Sequence, residues 1–171
     1  MERSEKKLAE LAMILNGGRE RDIAERIRLL RSEEPFGGAL RMLALHYDKT
    51  DNQGIRLAIA GLFNDLKEKT AREEVIESLA AVRKADSREM LISSCWQSGL
   101  DYSEFAIPLA NQFITGEYMV SLESFTVLDT CAESISDSDR SEILLRLQQN
   151  IESYDTPKRK LAGELISILK G

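Results

Sequence analysis

Few side chains in this sequence can do chemistry, and none stands in a pattern that commits it. His46 is the only histidine, and Cys95 and Cys131 are the only cysteines. One histidine excludes a His-rich metal site. Two cysteines exclude a disulfide framework and a four-cysteine zinc site. His46 has the chemistry of a general base, but no matched nucleophile or orienting acid can be placed beside it, so it reads as a structural or surface residue. Cys95 falls on an apolar stripe with Leu91 and reads as a buried, inert thiol, as does Cys131. The glycine-rich patterns that cradle phosphates or dinucleotides are absent. Gly17-Gly18 and Gly37-Gly38 are pairs beside helix ends and read as caps or turns. Asp48, Asp51, Asn52 and Gly54 glance at a calcium loop. The twelfth position counted from Asp48 is Ile59, where a bidentate Glu is needed. No catalytic residue, metal or cofactor is expected.

Charge is the sharper signal. The chain of 171 residues carries 23 Lys and Arg against 29 Asp and Glu, a net charge of −6. Residues 101–137 hold seven carboxylates and no cation: Asp101, Glu104, Glu117, Glu123, Asp129, Glu133 and Asp137. Such a field draws basic partners and repels nucleic acid. Several of these residues open helices. Glu123 and Asp129 fall inside one and are the better contact candidates. A solvated acidic face kept for solubility is the competing reading. Lys158-Arg159-Lys160 is too short a basic run to argue for nucleic acid or membrane.

The elements that must position these residues are helices. Leu8, Leu11 and Leu15 share a stripe, as do Ile23, Ile27 and Leu30, and Ile55, Ile59, Leu62 and Leu66. Phe105, Leu109 and Phe113 repeat the pattern, and Leu161, Leu165 and Ile168 close it. Spacings of three and four put each set on one face of an α-helix, and sustained alternation is absent. Thr70 with Glu73, Asp86 with Glu89, Asp101 with Glu104 and Asp139 with Glu142 have the form of capping boxes. Thr156-Pro157 reads as a cap followed by proline at the first helical position. Ten helices are expected, near 4–16, 19–32, 36–48, 53–67, 71–84, 87–98, 102–114, 117–133, 139–153 and 157–169. Paired, they make units near 4–32, 36–67, 70–98, 102–133 and 138–169. Unit starts are 32 to 36 residues apart, the mark of a helical repeat array within one domain.

Three stretches carry a family resemblance. The segment from Asp101 to Ile114, with Ile107-Pro108-Leu109 in it, resembles the first helix of a HEAT-like repeat. The segment from Asp51 through Ile55, Arg56 and Ala58 to Ala60 resembles the second. Asp86 with Met90 and Ser94-Cys95 is a weaker copy, and Gly116 with Val120 and Ser124 weaker still. The resemblance covers residues 36–134. It implies an all-α fold, an α-solenoid or superhelix of five antiparallel hairpins, with a kinked first helix at Pro108 and second helices lining a concave wall. It also implies that the Asp and Arg tie adjacent units, and only Asp51 and Arg56 match both positions. The tetratricopeptide pattern of the same period is not found.

The reading that follows is a non-enzymatic scaffold whose concave face binds a protein or peptide, a basic one being the class the charge would draw. Expected partner-binding residues are Arg56, Trp96, Gln97, Glu123 and Asp129. Trp96 is included because tryptophan buries much area with few rotors. The competing and stronger reading is that it packs between neighbouring hairpins. The alternatives are a HEAT-like enzyme, resembling the DNA glycosylases or bilin lyases, or a structural subunit that assembles through the apolar last helix at Leu165, Ile166, Ile168 and Leu169. The second helices from residue 89 to 139 hold no basic residue, which speaks against nucleic acid. No run approaches the roughly 20 apolar residues that span a bilayer. No secretory leader follows the first residues, and two lone cysteines suit a reducing cytoplasm. Oligomeric state is left open.

Overall fold

The computed structural model describes residues 2–33 and 36–171. Among them the regular elements are helical, with no strand. The chain divides into two compact units, 1–100 and 101–171. The division falls where the third expected hairpin gives way to the fourth.

The first unit contains α1 (Glu2–Gly17), α2 (Glu20–Leu30), α3 (Ala39–Lys49), α4 (Gln53–Asn64), α5 (Ala71–Ala81) and α6 (Ala85–Gln97). Consecutive helices pair as α1 with α2, α3 with α4 and α5 with α6. Odd helices also adjoin odd ones and even helices adjoin even ones. The expected stripes supply much of the core: Leu11, Ile27, Ile59 and Leu91 are fully or almost fully buried, and Leu43, Phe63 and Val75 join them. Each such side chain contributes roughly 1.5–3 kcal/mol by leaving water. Gly38 has φ +88°, the left-handed turn that opens α3 and that a side chain would strain.

The second unit contains α7 (Ala106–Thr115), α8 (Tyr118–Thr130), α9 (Asp137–Asn150) and α10 (Thr156–Lys170). Here α7 packs on α8 and α9, and α10 on α8 and α9. Leu109, Phe113, Leu128, Ile143, Leu147, Leu165 and Leu169 form its core. Leu165 and Leu169 are therefore spent inside, which removes half of the apolar face that an assembly subunit would use. Ser121 and Ser124, both buried, let α8 lie close to its neighbours, and their hydroxyls donate to the carbonyls of Phe113 and Val120 at 2.8 Å each.

Several start signals resolve differently from the sequence pattern. Pro108 is the third residue of α7, not its middle. Its missing N–H costs nothing in a first turn, and a 3-10 turn over Ser103–Phe105 precedes it where a kinked helix was expected. Asp101 accepts the N–H of Ser103 at 2.9 Å and so starts that turn rather than α7. Thr70 makes no side-chain cap. Asp139 lies inside α9, whose cap is Ser136, and Asp155 rather than Thr156 caps α10.

Candidate binding surface

Charged side chains in the first unit reach across from one hairpin to helix ends of the next. Asp48, at the C-terminal end of α3, is 9% exposed. Its carboxylate accepts the backbone N–H of Lys84 at 2.9 Å and that of Arg83 at 3.2 Å. Lys84 is the residue before α6 and brings no cap of its own. Asp48 therefore caps α6 from another helix, meeting orphan donors and the positive dipole end together. Burial alone would raise its pKa. The N–H of Lys84, the nearby Ser87 hydroxyl and the N–H of Arg83 outweigh that and hold it below the ordinary aspartate value. Glu74 of α5 does the same for α3, accepting the N–H of Arg41 at 2.9 Å. At the opposite pole, Lys67 donates to the Ser98 carbonyl that ends α6, at 3.4 Å.

Arg56 on α4 is part of this fastening. Its guanidinium donates to Asp86 of α6 at 2.5 Å and to the Tyr47 and Thr50 carbonyls at 3.4 Å, with its carbon 4.0 Å from the Tyr47 ring centre. Only 11% of its side chain is exposed. Burial would lower its basicity, and the bonds to Asp86 and Tyr47 more than restore it. Arg56 thus links α4 to Asp86 of the next hairpin. Asp51 is exposed and lies 3.7 Å from Lys84.

Gln97 and Trp96 end α6. Asn64, at the end of α4, donates its amide to the Gln97 side-chain carbonyl at 3.0 Å, and Gln97 donates to the Ser93 hydroxyl at 2.7 Å. The outward stripe of α4 runs Leu57, Gly61, Asn64, and that of α6 runs Ser93, Trp96, Gln97. Those six residues carry no charge. Leu57 is 73% exposed and Trp96 40% exposed. The arrangement offers two apolar side chains beside a hydrogen-bonded amide pair, which suits non-covalent docking and supplies no reactive group.

A separate cavity of about 360 Å3 lies in the same unit, between the chain that follows α2 and the chain that follows α4. Leu30, Phe36, Leu40, Leu43, Leu62 and Leu66 form much of its wall. Arg31 and Asp65 pair across its mouth at 2.8 Å. No sequence signal pointed to it, because it is made by the ends of two hairpins rather than by a motif.

The second unit uses charge in another way. Lys158 donates to the carbonyls of Ile114 and Gly116 at 2.9 and 2.8 Å, closing the end of α7, and sits 4.6 Å from the Tyr154 ring centre. Burial lowers its basicity. Arg140 donates to the carbonyls of Ala132, Ile135 and Leu169, and Arg159 to those of Glu152 and Tyr154. Two members of the basic run at 158–160 are therefore helix-end caps. Arg146 reaches Glu142 and the Asn111 side chain. With 6 cations, three of them used as helix-end caps, against 12 carboxylates, residues 101–171 hold the entire net charge of −6. The first 100 residues hold 17 of each and are neutral.

Of the expected contact residues, Trp96 and Gln97 are adjacent on the α6 stripe, and Arg56 is held beneath the neighbouring hairpin's Asp86. Glu123 is half-buried in α8, and Asp129 is exposed near its C-terminal end. A carboxylate there opposes the helix dipole, so no gain in helix stability accounts for it. His46 is half-buried. Its Nε2 meets no hydrogen-bond partner among the described residues, and burial with nearby Lys49 lowers its basicity, so the ring is neutral. Both thiols are buried, and burial with Asp101 pushes that of Cys131 up to about 11, far from a reactive thiolate. Among the described residues no helix is long and apolar enough to cross a membrane. Comparison with family models, with curated proteins and with solved structures returns no match.

Proposed function

We propose that this chain is a non-enzymatic binding module, a short α-solenoid of HEAT-like hairpins that docks a protein or peptide on the wall built by its second helices. Support for stacked hairpins comes from the repeat spacing together with the pairing of odd with odd and even with even helices inside each unit. The bonds that cross between hairpins join residues about one repeat apart, as Asp48 does with Lys84 and Asn64 with Gln97. A cytoplasmic setting fits two buried, unbridged thiols.

The observation that carries the binding reading is the uncharged stripe on α4 and α6, with Trp96 and Leu57 standing out of it around the Asn64–Gln97 amide pair. A partly exposed tryptophan on a rigid helix is a favoured anchor for a partner. The acidic second unit, with Asp129 exposed on it, adds a long-range field that favours a basic ligand.

Trp96 is the sole tryptophan, so it reports directly. Peptides selected from a random displayed library on the wild-type protein should be enriched in Lys and Arg and shift the Trp96 emission. They should lose at least about tenfold in affinity on Trp96→Ala, the size of a modest hot spot. Selected peptides that bind Trp96→Ala as tightly as wild type, or a selection that enriches none, would overturn the proposal.

A further inference from the structure

We infer that Asn16 is a site of spontaneous modification, where the folded chain converts its own amide to aspartate and isoaspartate with water as the co-reactant. The site lies outside the docking stripe and does not depend on it. The chemistry is intramolecular. The backbone nitrogen of the next residue attacks Cγ of the asparagine and forms a C–N bond. The side-chain nitrogen leaves as ammonia, taking the proton of the attacking N–H. Water then opens the cyclic imide. Attack at one carbonyl leaves an aspartate. Attack at the other leaves isoaspartate, in which the old side chain has become main chain and adds one methylene to it.

An asparagine reacts this way when its carboxamide is free and its following residue is unhindered. The chain has five asparagines. Asn52 accepts the N–H of Ile55, Asn64 donates to Gln97, Asn111 accepts from Arg146, and Asn150 donates to the Arg146 carbonyl. They are followed by Gln53, Asp65, Gln112 and Ile151. Asn16 is followed by a glycine, and its carboxamide makes no hydrogen bond among the described residues. Asn16 and Gly17 are both exposed and are the last two residues of α1. A Cβ added at Gly17 would meet nothing within 4 Å, so the space beside the attacking nitrogen is open. The attack requires Gly17 to leave helical geometry. Glycine is the poorest helix former after proline, and Gly18 follows it, so this last turn opens at small cost.

Conversion has a structural consequence. A new carboxylate at the C-terminal end of α1 opposes the helix dipole. Only Gly18 and Arg19 separate α1 from α2. A Cβ at Gly18 would stand 2.5 Å from the Ile14 carbonyl oxygen, so this turn has little room for an extra main-chain methylene. The first hairpin therefore loosens, slowly and irreversibly.

The test keeps the full-length protein folded in neutral buffer over days and follows each asparagine by peptide mapping and mass spectrometry. A parallel sample in urea gives the rate set by local sequence alone. The expected result is conversion of Asn16 to both products in the folded chain, at no less than about a tenth of its rate in urea, with the other four asparagines intact. Gly17→Ala, which the open space accommodates, should slow the folded-state conversion at least about fivefold, because alanine holds the last turn shut. A folded-state rate below that tenth, faster conversion at another asparagine, or a smaller slowing in Gly17→Ala would each overturn the assignment. The converted protein, separated by charge, should exchange its amides faster at the end of α1 and the start of α2. Exchange there that matches the fresh protein would overturn the loosening of the hairpin.

Discussion

The two units are both built from paired helices but fasten them with different charges. Residues 1–100 use both signs. Carboxylates from α3 and α5 cap helix starts on other hairpins, Lys67 caps an end, and Arg56 with Asp86 links the even helices. The two signs are equal in number, and the unit is neutral. Residues 101–171 turn cations to this task, beside Asp155, which caps α10 locally. Lys158, Arg140 and Arg159 close helix ends by donating to carbonyls, while carboxylates such as Asp129, Glu133 and Asp137 stay at the surface. The acidity of this half comes from its 12 carboxylates against 6 cations, and three of those cations donate to carbonyls rather than to carboxylates.

The largest effect that separates the units from their surfaces is in the core. Phe113→Ala removes a fully buried ring that also carries the edge of Tyr154 and the flank of Lys158. It should cost about 3–5 kcal/mol in urea unfolding. Asp48→Ala should cost about 1–2 kcal/mol, since two backbone donors at the start of α6 lose a charged acceptor. Lys158→Met should cost about 1 kcal/mol, less because the carbonyls it leaves are weaker losers than orphan donors and the methionine keeps its apolar stem against Tyr154. Should Lys158→Met prove the more damaging of the two, the contrast between the units would have to be redrawn. Smallest of all, Asp129→Asn should raise stability by about 0.3 kcal/mol, by removing a negative charge from the C-terminal end of α8. A loss of stability there would show that Asp129 has a structural role.

Acid sharpens the same contrast. Folding lowers the pKa of Asp48 and also that of Glu33, whose main cause is the hydrogen bond from Arg26. A carboxyl whose folded value lies below its unfolded one contributes stability above the unfolded value and loses it as pH falls through the folded one. Unfolding free energy should therefore drop below about pH 4, with the first unit losing its inter-hairpin caps. The helix-end bonds that Lys158 makes in the second unit run to carbonyls and involve no carboxylate.

Helix existence was legible in the sequence because burial is periodic. Leu43, Ile59 and Leu109 fall on stripes of three and four and are buried as those stripes require. Helix starts were less legible. A capping box is a local signal, and at Asp86 the side chain answers a partner thirty residues back instead. Asp48 looked like a turn residue because its role is to cap a helix that begins 37 residues later. The run at 158–160 looked like a misplaced basic patch because its acceptors belong to other segments. Trp96 and Gln97 were singled out for their types, and their exposed placement on α6 followed. Arg56, chosen for the same reasons, is engaged by Asp86, a bond that needs the neighbouring hairpin to be in place. The cavity left no trace at all, since its walls come from parts of four helices and the loops between them, and no single spacing encodes it.

The account turns on Asp48 closing α6 from outside it. Residue-resolved amide exchange of the wild-type protein, followed from neutral pH down to about pH 3, tests that most directly. The prediction is that the Lys84 N–H is protected at neutral pH and loses protection on acidification as Asp48 is protonated, while the N–H groups inside α7 and α8 keep theirs. A Lys84 amide that already exchanges freely at neutral pH, or that stays protected after Asp48→Ala, would contradict it.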